Sequence, residues 1–271
     1  MERSAGQERV SVRHRDGPLV LAAGAVIVAL LWATPGGLLD KVDRLAYAVC
    51  HRIPEHSFAF AGRPLPLCAR CSGTYLGALA GLIALALRGR GRAGLLPRAR
   101  WKLVCGLLVL PWAVDGFNSF LSLLPGLPHL YEPHNLLRLT TGTLEGLVIA
   151  VFLLPVVNMA LWARPAPVPS LAGWRDLAAL LAGGAVVAGL VGSGWPALLY
   201  PLALAQGLSI ALLVGAVNTI PVLILLHREG QAQHRAEVVA PLLAGLALGL
   251  LELTLIGLGR AALSGWLGLA I

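Results

Sequence analysis

Long apolar runs constrain this chain more than any other feature of its sequence. A helix needs about 20 consecutive apolar residues to cross a bilayer, and seven runs approach or exceed that length. They lie at about residues 18–34, 72–88, 103–124, 136–162, 175–195, 197–226 and 237–259. The sequence therefore predicts an all-α fold, a polytopic transmembrane helix bundle of about seven spans.

Composition excludes the main alternatives to a membrane protein. Charged residues make up 13% of the 271 residues and hydrophobic residues 57%, whereas soluble proteins carry about 25% charged residues. A soluble enzyme and a disordered chain are both excluded by that balance. We find no phosphate-binding loop, nucleophile elbow or His-Glu-x-x-His helix, which argues against ATP-driven pumps and the familiar zinc peptidases. Whether the chain is an enzyme stays open.

The distribution of basic residues predicts how the spans are oriented. Six of the 21 basic residues fall in the short stretch from Arg88 to Lys102, and basic residues accumulate in cytoplasmic loops. We therefore expect a multi-pass protein of the prokaryotic plasma membrane with a cytoplasmic N-terminus. The expected partner is the lipid bilayer and not a nucleic acid. The sequence does not decide whether a protein partner or a homo-oligomer forms.

The runs divide the chain into three predicted regions. Residues 1–17 form a cytoplasmic tail, residues 18–162 a four-span core with a cysteine-rich first outer loop, and residues 163–271 a three-span extension. In that loop, Val42, Leu45, Ala46 and Val49 follow a helical period. This pattern predicts a short amphipathic surface helix immediately before the cysteines.

Three cysteines of the first outer loop form the candidate site. Cys50 ends the amphipathic stretch, and Cys68 and Cys71 form a C-x-x-C at the start of the second span. A tight turn directs both sulfurs of such a pair toward one centre. With His51, these residues predict a Cys3His zinc site at the outer membrane face; His56, Asp115 and water are alternative fourth ligands.

Two other chemistries fit the same thiols. The start of a helix and the adjacent Arg70 lower the pKa of a thiol, so a membrane thiol oxidoreductase that uses the C-x-x-C pair is one alternative. A purely structural disulfide from Cys50 to one of the pair is the other. Cys105 stands alone in an apolar run, and we expect it to be a buried, packed thiol.

The cysteine motif resembles that of a known family. The strings CHRIPEHSF at 50–58 and PLCARCSGTYLG at 66–77 are similar to the signature of the domain of unknown function 2085, a family of predicted prokaryotic integral membrane proteins. Weaker similarity continues at 115–116 and 135–142, so the resemblance covers roughly residues 40–150. It implies a membrane location and marks positions, but it implies no activity.

Polar residues within the third and fourth spans form a second candidate cluster. Asp115 and Asn118 share one helical face, and Asn135, Arg138 and Glu145 share another. Charged groups in the hydrocarbon core are costly and need partners or a function. We expect an Asp115–Arg138 ion pair with a hydrogen bond from Asn118, in a cavity near the cysteines. A small-solute or ion transporter using Asp115, Arg138 and Glu145 is a further alternative.

Overall fold

The apolar runs form long helices in the structure, a computed structural model that describes residues 2–124 and 126–268 and, for residues 2–15, the backbone alone. The helices are α1 (Glu2–Ala33), α2 (Leu38–Val49), α3 (Ala69–Leu87), α4 (Ala99–Leu121), α5 (Asn135–Leu161), α6 (Trp174–Gly192), α7 (Leu199–Leu225) and α8 (Val239–Leu267). In this part of the chain, seven helices are long and apolar enough to span a membrane. The predicted seven-span helix bundle is confirmed.

The helices extend beyond the predicted apolar runs mainly where polar residues next to a run are also helical. The backbone of the predicted tail, residues 1–17, belongs to α1, apart from Met1, which lies outside the described residues. The helix predicted before the cysteines is α2, which packs its buried residues Leu39, Val42 and Ala46 against α7 and α8.

Short strands connect the loops at one end of the bundle. Strand β3 (Ala93–Leu95) pairs in parallel with β4 (Ala166–Pro169), and Trp162 bridges to Ala232. The loops after α3, α5 and α7 therefore lie at the same end, which we call the arginine face. Arg228 binds Asp16 of α1 there at 2.6 Å.

The opposite end, which we call the cysteine face, holds the long loop between α1 and α3. This loop contains α2, a single 3-10 turn at Pro54–His56 and a hairpin of β1 (Ala59–Phe60) and β2 (Arg63–Pro64). The loop between α4 and α5 lies at the same end, since Asn135 Nδ2 donates to Glu55 O at 3.0 Å.

Helix α3 lies at the centre of the bundle and contacts α5, α6 and α7. Glycines allow the backbones of α3 and α5 to approach closely: a Cβ on Gly77 would lie 2.6 Å from Thr143 O. Helix α4 packs mainly on α5, and much of its surface is apolar and exposed. The bundle therefore has a tight α3–α5 core and a peripheral α4.

Candidate metal centre

Three thiols from separate stretches of the chain meet at the cysteine face. The Sγ atoms of Cys50, Cys68 and Cys71 all lie within 4.8 Å of one another. In a tetrahedral zinc site, a metal–sulfur distance of about 2.3 Å places the sulfurs about 3.8 Å apart. A small movement of the three side chains that brings their sulfurs closer together would therefore produce metal-binding geometry.

The end of α2 fixes the position of Cys50. Its backbone N–H continues the helical pattern by donating to Ala46 O at 2.9 Å. Arg52 then adopts a left-handed conformation, with φ of 51°, which turns the chain back toward the thiol. As a result, the backbone N–H groups of Arg52 and Cys68 both donate to Cys50 Sγ, each at 3.4 Å. Donors of this kind stabilise a thiolate and orient it as a ligand.

Helix α7 holds the C-x-x-C turn through one buried glutamine. Gln206 Oε1 accepts the N–H of Leu67 at 3.3 Å, and its Nε2 donates to Ser72 Oγ at 2.9 Å. Ser72 Oγ in turn donates to Leu67 O at 3.1 Å. Our sequence analysis did not select Gln206, although a lone amide in a long apolar run was the available signal.

Helix α8 closes the site from the other side. Arg260 Nη1 donates to Cys50 O at 2.7 Å and also to Tyr47 O. The guanidinium lies 4.3 Å from the centroid of the Tyr47 ring. Apolar residues complete the surroundings of the thiols: Ala46, Leu67, Ile210 and Leu253 are buried against them. The thiols are thus largely shielded from water.

Contact among the thiols changes their acidity in opposite directions. Hydrogen bonds from Cys68 and then from Cys71 lower the pKa of Cys50, because they stabilise its thiolate. The pKa of Cys68 is raised, first because of its side-chain hydrogen bond with Cys50. Of these two thiols, Cys50 is therefore the more acidic.

The predicted histidine ligand does not join this group. His51 is exposed, and within residues 2–124 and 126–268 the group of close metal-ligating atoms contains the three sulfurs alone. His56 lies half-buried on the 3-10 turn. Its pKa is lowered, first by burial and then by the charge of Arg138. Cys105 is buried in a separate apolar cluster, as predicted.

Asp115 has a different partner from the one predicted. It is fully buried and forms an ion pair with Arg70 of α3. Its carboxylate also accepts hydrogen bonds from Tyr131 Oη at 3.0 Å and from Thr141 Oγ1 at 3.5 Å. The predicted ion pair with Arg138 is wrong, because the side chain of Arg70 crosses from α3 to α4 and occupies the carboxylate.

Asn118 organises the loop after α4 instead of bonding to Asp115. Its Oδ1 accepts the N–H of Leu130 at 2.6 Å, and its Nδ2 donates to Tyr131 O at 2.8 Å. This brings the Tyr131 hydroxyl to Asp115. Burial raises the pKa of Tyr131, as does its hydrogen bond to Asp115, so the phenol stays protonated and donates.

The polar residues of α5 divide into two levels. Arg138 is buried, with 5% of its surface exposed, and its Nη1 donates to Asn135 Oδ1 at 3.0 Å. Glu145 lies deeper in the bundle and accepts Thr74 Oγ1 at 2.6 Å. The structure therefore brings Asp115 and Arg70 together at the cysteine face, joins Asn135 to Arg138, and leaves Glu145 bonded to Thr74.

Comparison with known proteins identifies the family. The profile of a family described as "Predicted membrane protein (DUF2085)" matches residues 50–152. An uncharacterized protein of Methanothermobacter thermautotrophicus is 36% identical over 106 residues, which are 38% of this chain and 82% of the relative. The chain belongs to this family. The predicted resemblance is confirmed.

A second archaeal relative extends the comparison. An uncharacterized protein of Methanocaldococcus jannaschii is 32% identical over 108 residues, which are 40% of this chain and 63% of the relative. No solved structure matches the chain. The family match includes the three cysteines, Asp115 and Arg138, whereas Gln206 and Arg260, which hold the thiols in place, lie beyond it.

Proposed function

We propose that this membrane protein binds a zinc-type metal ion through Cys50, Cys68 and Cys71 at the outer face of the prokaryotic plasma membrane. One observation carries the proposal: sulfurs from three separate positions lie within 4.8 Å of one another. The donor set fits the ion, since soft thiolates select zinc and related metals. Two backbone N–H groups directed at Cys50 Sγ supply the outer hydrogen bonds that metal-bound thiolates receive.

The metal would attach the first loop to the start of α3. Three protein ligands leave a fourth position for a water molecule or another ligand. His51 was predicted for that position; because its ring is exposed and outside the thiol group, the proposal depends on the sulfurs alone. Thiolate-rich sites more often stabilise a fold than catalyse a reaction, and we assign this site the structural role.

Elemental analysis of the purified protein tests the proposal. We expect about one equivalent of metal in the wild type, and its loss in Cys50→Ala and Cys68→Ala. Cys105→Ala is the matched control, because that thiol is buried in a separate apolar cluster, and it should retain the metal. An absence of metal from the wild type, after preparation without chelators, contradicts the proposal.

A membrane thiol oxidoreductase is the second candidate function. The same contact among three thiols favours it, since Cys50 as a thiolate would be the nucleophile in disulfide exchange. Alkylation of thiols in intact cells followed by mass spectrometry separates the two functions. A disulfide among the three cysteines that forms and disappears reversibly supports the redox function, whereas three permanently reduced thiols with bound metal support the metal site.

The transport alternative gains little from the contacts. Asp115 is bound by Arg70 and Tyr131, and Glu145 by Thr74. The guanidinium of Arg70 already compensates the charge of Asp115, so no transported cation is needed to explain this carboxylate. Glu145 receives a hydrogen bond from a neutral hydroxyl.

We also propose that the arginine face is cytoplasmic. The loops after α3, α5 and α7 pair with one another at that end, and they contain the densest run of basic residues, from Arg88 to Lys102. The positive-inside rule then places the thiols on the outer side of the membrane.

A further inference from the structure

Arg138 is a buried cation that forms no ion pair with a carboxylate among the described residues. It is 5% exposed, and its Nη1 donates to the neutral amide of Asn135. Its Nε is buried and has no hydrogen-bond partner in this part of the chain. A buried guanidinium is strongly unfavourable unless it is paired and hydrogen-bonded, so this side chain lacks a counterion.

The surrounding charges do not supply one. Asp115 is the carboxylate at this level, and it is bound to Arg70, whose own Nε is also buried without a partner in the described residues. Thr141, one turn after Arg138, also donates to Asp115, at 3.5 Å. Glu145 lies about 10 Å further along α5 and binds Thr74. Among the described residues at this level, one carboxylate forms an ion pair with one of the two guanidiniums.

His56 does not change this balance. Burial lowers its pKa, and so does the charge of Arg138, which outweighs the opposite influence of Glu55. At neutral pH the imidazole is uncharged, so it adds no third positive charge beside the two guanidiniums.

We propose that Arg138, assisted by Arg70 and the first turn of α5, binds the phosphate group of an anionic ligand. Because Nη1 is fixed to Asn135, the edge formed by Nε and Nη2 is left to receive two oxygens, the bidentate geometry in which arginine binds phosphate. The start of α5 adds the positive end of a helix dipole.

The site lies beside an exposed apolar surface. Leu136, next to Asn135, is 53% exposed, and Phe117 and Phe120 of the peripheral helix α4 are 65% and 57% exposed. These apolar side chains face the surroundings at the cysteine-face end of the spans. A phosphate at this level comes either from a lipid headgroup or from free phosphate in solution.

Thermal unfolding of the full-length protein in detergent, with three additives, tests the proposal. The additives are inorganic phosphate, phosphatidylglycerol and a phosphate-free galactosyl diacylglycerol, all at matched ionic strength. Saturation at 100 times Kd should raise Tm of the wild type by about 5 °C or more. A response to inorganic phosphate identifies a free anion, and a response to phosphatidylglycerol alone identifies a headgroup; both support the proposal.

Variants make the result specific. Arg138→Gln should lose the Tm response, and the exposed Arg175→Gln on the arginine face should keep it. Asn135→Asp places a carboxylate against Nη1 but loses the hydrogen bond to Glu55 O. It should reduce the response to phosphate, which keeps the test valid if Arg138→Gln fails to fold. Equal responses of wild type and Arg138→Gln, or equal stabilisation by the phosphate-free lipid, overturn the proposal.

Discussion

At the scale of single residues, Asp115 is a fully buried charge at the cysteine face. Asp115→Asn leaves the guanidinium of Arg70 in place but removes its counterion. Breaking one side of a buried pair is destabilising by about 3–5 kcal/mol. We expect a fall of that size in the free energy of unfolding, measured by denaturation in detergent.

A matched carboxylate separates burial from charge in that experiment. Glu132 is 90% exposed in its contact with His129, and exposed pairs contribute about 0–1 kcal/mol. Glu132→Gln should therefore leave the unfolding midpoint nearly unchanged. Equal effects of the two substitutions would show that the Arg70–Asp115 pair does not stabilise the fold.

Sequence reasoning located this cluster but not its pairing. Asp115 was identified because a carboxylate in an apolar run needs a partner. Arg138 was the predicted partner because, on the predicted topology, the polar faces of the third and fourth spans reach the same outer half of the membrane. Arg70 was considered only as a neighbour of the thiols, since nothing in the linear order shows that its side chain reaches α4. Pairing across three helices depends on packing, which spacing along the chain does not encode.

At the scale of elements, the α3–α5 contact depends on glycine. A Cβ on Gly146 would overlap the backbone oxygen of Thr74 and lie 2.7 Å from Ala78 N. Because backbone atoms cannot rotate away, Gly146→Ala should separate the helices and destabilise the fold by about 1–3 kcal/mol or more. Gly106→Ala in α4 is the control, since a Cβ there meets nothing within 4 Å. A comparable loss in both variants, measured as unfolding midpoints, contradicts this account.

The sequence predicts the end of a span from the point at which apolar residues give way to charged ones, and this point need not be the end of the helix. The seventh run was expected to end at residue 259, before the charge of Arg260. In the structure α8 continues to Leu267, because the guanidinium donates to the carbonyls of Tyr47 and Cys50. A charge that finds acceptors on another element does not terminate a helix, and its acceptors are visible only after folding.

At the scale of the whole molecule, the last three spans support a site whose cysteines lie outside them. Gln206 is fully buried and bonds to both Leu67 N and Ser72 Oγ. Gln206→Met keeps the shape but leaves the buried N–H of Leu67 unpaired and removes the hydrogen bond to Ser72 Oγ. This should cost about 1–3 kcal/mol. Metal affinity, measured by chelator competition, should fall about 10–100-fold. Gln233→Met, at an exposed position on the arginine face, should change neither quantity.

Membrane orientation can be tested with one matched pair of substitutions. Ser193 follows α6 at the cysteine face, and Gln233 lies in the loop after α7 at the arginine face; both are exposed. Because basic loops are retained in the cytoplasm, a membrane-impermeant maleimide should label Ser193→Cys in intact cells. It should label Gln233→Cys only after permeabilisation, with the modified peptide identified by mass spectrometry. The reverse pattern would place the three thiols in the reducing cytosol, where a persistent disulfide is disfavoured and a metal would remain the better explanation for their contact.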